Sequence, residues 1–271
     1  MKFEPLEPGM SIWWPACGPL PSDGLMSRLR ENNINWIETG IRQKSGTGNF
    51  KAHAERLEKI AVRFREGGIG VWSVHAPFGQ EIDISNPATA GEGIRLNSEI
   101  IEACSAIGVD KVVIHGSSEP ITEKERPARI ECCIESVQRL YHPDVAIALE
   151  NLPRTCLGNT TGEMLAILKQ LDGMAKCCID VNHCHSGSII DMLDALGGYI
   201  ATVHISDDDG LDEKHWLPGQ GVLDWIGILK KLRDKGYKGV FMYEVQKQFA
   251  RPGLIRANYD MLTGRLSRPT V

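Results

Sequence analysis

The chain has 271 residues, of which 42% are hydrophobic and 24% charged, a composition typical of a folded globular protein. Its length matches the roughly 250 residues of one closed α/β barrel, so we expect residues 1–271 to form a single domain. The formal net charge of −5 at pH 7 gives no diffuse positive field to attract a polyanion, which disfavours nucleic acid as a partner.

Short β-rich runs alternate along the chain with longer helical runs, which is the pattern of βαβ units in a parallel sheet. Eight strands are predicted, near Gly9–Trp14, Asn35–Thr39, Gly70–Val74, Lys111–Ile114, Val145–Leu149, Lys176–Ile179, Ile200–Ile205 and Gly239–Tyr243. The units are similar in length and no linker separates them. The turn after the first strand also lacks the glycine-rich dinucleotide-binding sequence of an open sheet. We therefore expect the α/β fold class and a (β/α)₈ TIM barrel, a closed parallel barrel of eight strands.

Between the strands, apolar residues recur at helical spacing, as in residues 50–66 and 95–107. Glycines that permit a left-handed cap end several of these helices, at Gly67-Gly68, Gly108, Gly173 and Gly236. Aspartates that can accept a hydrogen bond from a free first-turn amide are expected at three helix starts, namely Asp23, Asp191 and Asp224. His53 and His142 are expected at solvated helix and loop positions.

The N-terminal residues Met1–Pro5 lack the basic start and apolar run of a secretory signal. No uncharged stretch reaches the ~18 residues of a membrane span. The eight cysteines include two adjacent pairs and no Cys-x-x-Cys spacing, which favours neither a disulfide framework nor a thiolate zinc site. We therefore expect a cytoplasmic protein with reduced cysteines and no contact with a membrane.

Seven of the eight predicted strands end in an ionisable residue: Glu38, His75, His115, Glu150, Asp180, His204 and Glu244. The carboxyl ends of barrel strands meet at one mouth, where the active sites of this architecture lie. Carboxylates crowded there would repel one another unless a cation lay between them, so a divalent metal is expected. Mixed imidazole and carboxylate ligands without thiolate favour zinc, manganese, iron or cobalt over calcium or magnesium.

Several loop residues are expected near this mouth. His183 lies three residues after Asp180, close enough to turn back over the pocket, and His215 lies in the loop after strand 7. Trp14 is expected to line the pocket wall. The acidic run 207–209 is expected to face solvent, with Asp207 near enough to orient His204. The segment 218–221, Pro-Gly-Gln-Gly, is interpreted as a turn into the next helix, with a phosphate cradle as the alternative.

Six motifs in this order resemble the xylose isomerase-like TIM barrels, which include sugar (phosphate) isomerases and epimerases, inosose-pathway enzymes and zinc-dependent apurinic endonucleases. The motifs are Val74-His75-Ala76-Pro77, Ile114-His115-Gly116, Leu149-Glu150-Asn151, Asp180-Val181-Asn182-His183, Val203–Asp207 with His215–Trp225, and Tyr243-Glu244. The resemblance runs from about strand 2 to strand 8. It indicates the superfamily more specifically than it indicates the substrate, and it implies a homodimer.

The resemblance also implies ligands and site residues. In the ketose 3-epimerases of this group one metal is bound by residues that match Glu150, Asp180, His204 and Glu244. The endonucleases add ligands that match His75, His115, His183 and His215, and an aspartate whose place Glu213, or Asp212 one residue off, would take. For a sugar enzyme the expected substrate-binding residues are His183, His75, His115, His215, Glu38 and Trp14.

The leading hypothesis is an isomerase or epimerase that uses Mn²⁺, Zn²⁺ or Co²⁺ and acts on a ketose, a sugar phosphate or a related polyol. The metal would acidify a C–H next to a carbonyl and stabilise the enediolate, with Glu150 and Glu244 as catalytic acid and base. The alternatives are an apurinic-site endonuclease, which should have basic loops at the mouth, and an inosose-type dehydratase. A catalytically inactive barrel that only binds metal would be favoured by a missing ligand, and none of the four is missing.

Overall fold

The fold is a closed barrel of parallel strands enclosed by helices, which confirms the predicted architecture. In a computed structural model, which describes residues 6–42 and 51–266, each strand pairs with the next and the last pairs with the first. The strands are β1 (Pro8–Pro15), β2 (Trp36–Arg42), β3 (Gly70–His75), β4 (Lys111–His115), β5 (Ala146–Glu150), β6 (Ala175–Asp180), β7 (Ile200–Ile205) and β8 (Phe241–Tyr243). The helices are α1 (Asp23–Glu31), α2 (Lys51–Glu66), α3 (Ala90–Ala106), α4 (Arg126–Leu140), α5 (Thr161–Gln170), α6 (Ile189–Leu196), α7 (Trp225–Asp234) and α8 (Pro252–Leu266).

The main hydrophobic core lies between the outer faces of the strands and the inner faces of the helices. In α2 the side chains of Leu57, Ile60 and Phe64 recur at helical spacing and are buried against the barrel. His53 on the same helix is also buried, so the expectation of a solvated histidine there is wrong. A smaller cluster of Val113, Ala148 and Cys178 with Ala201 comes from four consecutive strands.

The glycine caps predicted at the helix C-termini are confirmed, whereas two of the three aspartates predicted as N-terminal caps are not caps. Gly68, Gly108, Gly173 and Gly236 have positive φ, as expected for left-handed caps. Asp224 accepts from the Gly227 amide and caps α7. In α1 and α6, however, Ser22 and Ser188 are the caps, because their hydroxyls lie on extended backbone just before the first turn. Asp23 and Asp191 lie inside that turn.

The helices are of ordinary length for a globular domain, and α3, the longest one described, has 17 residues. Among residues 6–42 and 51–266, none of the helices combines the length and the apolar character needed to cross a membrane.

Candidate metal centre

The imidazole of His204 lies at the centre of a group of three carboxylates. Its Nδ1 lies 3.1 Å from Glu150 Oε1, 2.9 Å from Glu244 Oε2 and 3.9 Å from Asp180 Oδ2. The four residues come from the carboxyl ends of β5 to β8, which are neighbours in the barrel. The four ligand atoms all lie within 4.8 Å of one another, a spacing that allows them to share one ion.

Asn151 connects the carboxyl ends of β5 and β6. Its side-chain amide donates to the Asp180 carbonyl at 2.9 Å and accepts from the Asp180 amide at 2.7 Å. The Asn182 amide donates to Asp180 Oδ1 at 2.7 Å, while the buried Oδ2 has no hydrogen-bond partner among the described residues. A buried carboxylate oxygen without a donor is costly, so this atom fits a bound cation.

The charges at this group also fit a cation. Burial raises the pKa of Asp180 to about 6. Burial opposes ionisation of Glu150 as well, yet His204 and His115 hold the pKa of Glu150 well below its usual range. Glu150 and Glu244 pair closely with His204, and Asp180 shares the same buried space with a looser contact of 3.5 Å from its Oδ2 to His183 Nε2. One nitrogen with three carboxylate oxygens is a donor set for zinc, manganese or cobalt.

Glu38 lies behind His204, inside the barrel. It is fully buried and lies 3.1 Å from the Nε2 of His204. Ser73 and Ser11, its neighbours on β3 and β1, donate to it at 2.7 and 3.2 Å. Because a carboxylate only accepts, Nε2 donates to Glu38, while Nδ1 faces the other three acids. Sequence reasoning expected Glu38 to contact substrate, whereas the structure places it on the far side of His204.

His75 and His115 contact the second oxygen of Glu150. Their Nε2 atoms lie 3.2 and 3.0 Å from Glu150 Oε2. His75 donates from Nδ1 to the carbonyl of Ala76 at 2.8 Å, which leaves its Nε2 directed at the carboxylate. His75, Glu150 and His204 therefore form a second group of donor atoms with metal-ligand spacing.

A third donor group consists of His183, Glu213 and His215. His183 donates to the carbonyl of Asn151 at 3.0 Å, and its Nε2 lies 3.0 Å from Glu213 Oε2. Burial opposes protonation of His183, but Asp180, Glu150 and Glu213 raise its pKa to about 10. Of the two acids that the sequence left open, Glu213 joins this group.

A cleft of about 350 Å³ opens at these groups and is lined by His75, His115, Glu150, His183, Glu213, His215 and Glu244, together with loop residues. Phe78 lines it too, 47% exposed and stacked on His115 with ring centroids 4.0 Å apart. Trp13 packs on His75, whereas Trp14 points the other way and packs on Phe64 of α2. Sequence reasoning missed Phe78 in the cleft lining and the contact of Trp13 with His75. Two signals were available. Side chains alternate along β1, so Trp13 and Trp14 face opposite sides, and Phe78 comes just after His75-Ala76-Pro77.

The acidic run 207–209 is largely buried rather than solvated. Asp207 and Asp208 are 0% and 2% exposed. The Asp207 carboxylate accepts from the Gly219 amide at 2.6 Å, from the Leu223 amide at 3.2 Å and from the indole of Trp225 at 2.8 Å. Asp207 therefore holds the loop after β7 in place, and Glu38, not Asp207, bonds to His204. Residues 218–221 form a turn before α7, with Gly219 at positive φ.

A parallel eight-stranded barrel with histidines and carboxylates converging at its mouth defines a TIM-barrel protein with a candidate metal centre. The sequence profile described as xylose isomerase-like TIM barrel matches residues 26–264. The chain belongs to this family.

The curated relatives include an uncharacterized protein, an epimerase and a probable endonuclease. An uncharacterized protein of Methanocaldococcus jannaschii is 29% identical over 63% of this chain, and fructoselysine 3-epimerase of Escherichia coli O157:H7 is 25% identical over 55%. A probable endonuclease 4 of Bacillus licheniformis is 28% identical over 65%. The alignments cover 63%, 42% and 64% of these proteins, so this chain spans less than two thirds of each relative's length.

Solved structures share the fold over nearly the whole chain. D-psicose 3-epimerase from Clostridium cellulolyticum H10 superposes with a TM-score of 0.72 at 18% identity, covering 96% of this chain and 99% of that one. A putative xylose isomerase from Rhodospirillum rubrum superposes with a TM-score of 0.76 at 16% identity, covering 97% and 100%. At these identities the likeness establishes a common fold.

Proposed function

We propose that the protein is a divalent-metal-dependent isomerase or epimerase that acts on a ketose or a related polyol. The observation that carries this proposal is the placement of Glu150 and Glu244, which approach Nδ1 of His204 from different strands. Two carboxylates at one mouth suit the removal and return of a proton. Family membership and the epimerase names among relatives and structural neighbours support the same reaction class.

Glu150, Asp180, His204 and Glu244 would hold the ion, and Mn²⁺, Zn²⁺ or Co²⁺ suits this mixture of nitrogen and oxygen donors. When bound, such an ion polarises a substrate carbonyl and the neighbouring hydroxyl, which acidifies the C–H between them. The buried Oδ2 of Asp180, which accepts no hydrogen bond from the described residues, supports this assignment.

The two glutamates are available as bases at neutral pH. Despite burial, His204 and His115 hold the pKa of Glu150 well below its usual range, and His204 does the same for Glu244. Glu150 contacts four histidines, whereas the side chain of Glu244 is 16% exposed at the cleft. One glutamate removing a proton and the other returning it on the opposite face gives epimerisation. A single glutamate doing both gives aldose–ketose isomerisation.

His183 would donate a hydrogen bond to a substrate oxygen that displaced Glu213 Oε2, which lies 3.0 Å from its Nε2, because its Nδ1 already donates to the Asn151 carbonyl. Burial opposes its protonation, yet neighbouring carboxylates raise its pKa to about 10, so the ring is positively charged at neutral pH. The cleft that it lines has a volume of about 350 Å³, which suits a small molecule.

The test is solvent-deuterium exchange into a panel of ketoses by Mn²⁺-, Zn²⁺- or Co²⁺-loaded protein, read by mass spectrometry and NMR. We expect exchange by the natural chain and a loss of at least about 100-fold in Glu150→Gln and in Glu244→Gln. Glu131→Gln, on the exposed face of α4, is the matched control and should exchange normally. Normal exchange in both site variants would contradict the proposal. Loss of water from an inosose substrate would identify a dehydratase instead.

An apurinic-site endonuclease is the second candidate. The His75–Glu150–His204 and His183–Glu213–His215 groups next to the first set would allow several ions to bind close together, as hydrolysis of a phosphodiester often requires. The relative named probable endonuclease 4 points the same way. Against it, acids such as Glu119 and Asp212 stand at the mouth. Nicking of a duplex that contains an abasic site, with no exchange into ketoses, would establish this function.

A further inference from the structure

The loop after β7 contains an anion-binding arrangement of backbone amides that the protein itself occupies. In TIM barrels the loops after strands 7 and 8 frequently form a phosphate site, and backbone N–H groups supply its donors. Here the amides of Asp208, Gly219 and Leu223 donate to the carboxylate of Asp207 at 3.0, 2.6 and 3.2 Å. The carboxylate of Asp207 satisfies these three donors, and none of the three residues lines the cleft, so their amides are not offered to a phosphate group of a bound substrate.

This arrangement leaves no room for a second anion. Asp207 is fully buried, and the indole of Trp225 donates to its other side at 2.8 Å. Gly221 packs so closely that an added Cβ would overlap the carbonyl oxygen of Asp208 and the carboxylate of Asp207. The Val222 amide is bonded to the Asp208 carbonyl at 3.0 Å.

A positive side chain is the other means of holding a phosphate, and the one that lines the cleft in the described part of the chain is already paired. Among the described cleft-lining residues, Arg154 is the single lysine or arginine. Its guanidinium lies 3.1 Å from Glu119, 3.0 Å from Asp212 and 2.9 Å from Glu213. One positive charge thus faces three negative ones. A phosphate dianion that approached this end of the cleft would meet a surplus of carboxylates.

From these two observations, and resting on the proposed function, we infer that the substrate is an unphosphorylated sugar or polyol. Its end remote from the metal presents hydroxyl groups to the carboxylate of Glu119 and to Ser118, which line that part of the cleft. Carboxylates and hydroxyls accept and exchange hydrogen bonds with neutral hydroxyl groups at no cost in charge repulsion.

The test compares each free ketose with its own terminal phosphate ester as substrates for solvent-deuterium exchange by the Mn²⁺-loaded full chain. We expect kcat/KM to be at least about tenfold higher for the free sugar. Equal or faster exchange into the phosphate ester would overturn the inference while leaving the isomerase proposal intact. Exchange into neither member of any pair, with no change in melting temperature on adding either, would overturn both.

A double variant tests the part played by Arg154. Glu119→Gln with Asp212→Asn removes two of its three carboxylate partners, so the guanidinium becomes available to a phosphate group. We expect the preference for the free sugar to fall at least about tenfold. Glu135→Gln with Asp144→Asn, two exposed positions, makes the same chemical change and should leave the preference unaltered. An unchanged preference in the first pair would contradict the role assigned to Arg154 and its partners.

Discussion

His204 and Glu38 are hydrogen bonded through Nε2 at 3.1 Å, on the side of the imidazole opposite the three carboxylates that face Nδ1. This bond fixes the orientation of the ring, with Nε2 as a donor to Glu38. Loss of such an outer partner commonly costs 10- to 100-fold in metal affinity, by the general behaviour of metal-ligating histidines.

We therefore predict that Glu38→Ala weakens Mn²⁺ binding by roughly 10- to 100-fold. Glu38→Gln should lose less, because its side-chain oxygen still accepts from Nε2. Calorimetric titration of metal-free protein measures both, and the melting temperature of the metal-free variants separates affinity from folding. Ser11→Ala, which removes only the weaker donor to Glu38, is the control. Equal affinity in the alanine variant and the natural chain would show that Glu38 does not position His204.

Metal should stabilise the fold. At a free metal concentration 100-fold above Kd, binding contributes about 2.7 kcal/mol, which corresponds to a gain of roughly 5–10 °C in Tm for a chain of this size. The measurement is a thermal melt of chelator-treated protein with and without Mn²⁺, Zn²⁺ or Co²⁺. Asp180→Asn, which removes the unpartnered oxygen, should abolish most of the gain. No gain with any of the three metals in the natural chain would contradict a metal centre.

Asp207→Asn should destabilise the protein by about 3 kcal/mol, because an amide offers one acceptor where the carboxylate accepts from three backbone amides and an indole. Urea denaturation measures the change. Asp209→Asn, two residues further along and more exposed, should cost less than half as much. Similar losses in the two variants would mean that the buried carboxylate does not organise the loop.

The helix caps give a matched pair on α6. Ser188→Ala removes the acceptor for the Asp191 amide and should cost about 1 kcal/mol. Asp191→Ala removes only a charge that interacts with the helix dipole, so it should cost a few tenths of a kcal/mol. Urea denaturation of both variants checks the order, and a reversed order would restore Asp191 as the cap.

The barrel and most of the candidate metal ligands could be predicted because the signals are local. Glu150, Asp180 and Glu244 stand where an apolar strand gives way to a polar loop, and parallel strands bring such ends together. Glu38 could not be placed in this way. The strand that contains it continues to Arg42, so Glu38 is an interior residue of β2 rather than its end.

The remaining differences come from contacts between distant parts of the chain. Asp207 receives its hydrogen bonds from residues up to 18 positions later, which composition does not reveal. Both faces of a barrel strand are covered, so an apolar run such as Trp13-Trp14 does not show which ring faces inward. The predicted homodimer and the cytoplasmic location stay predictions, and size-exclusion chromatography with light scattering tests the first.

Asn151 connects two of the donor groups, because it is hydrogen bonded both to Asp180 of the first group and to His183 of the third. Its side chain is hydrogen bonded to both the amide and the carbonyl of Asp180, and its own carbonyl accepts from the ring of His183. A displacement of β5 relative to β6 would therefore shift a ligand atom in two donor groups together. A cation bound at the first donor group would therefore act on the ring position of His183 in the third group through Asn151.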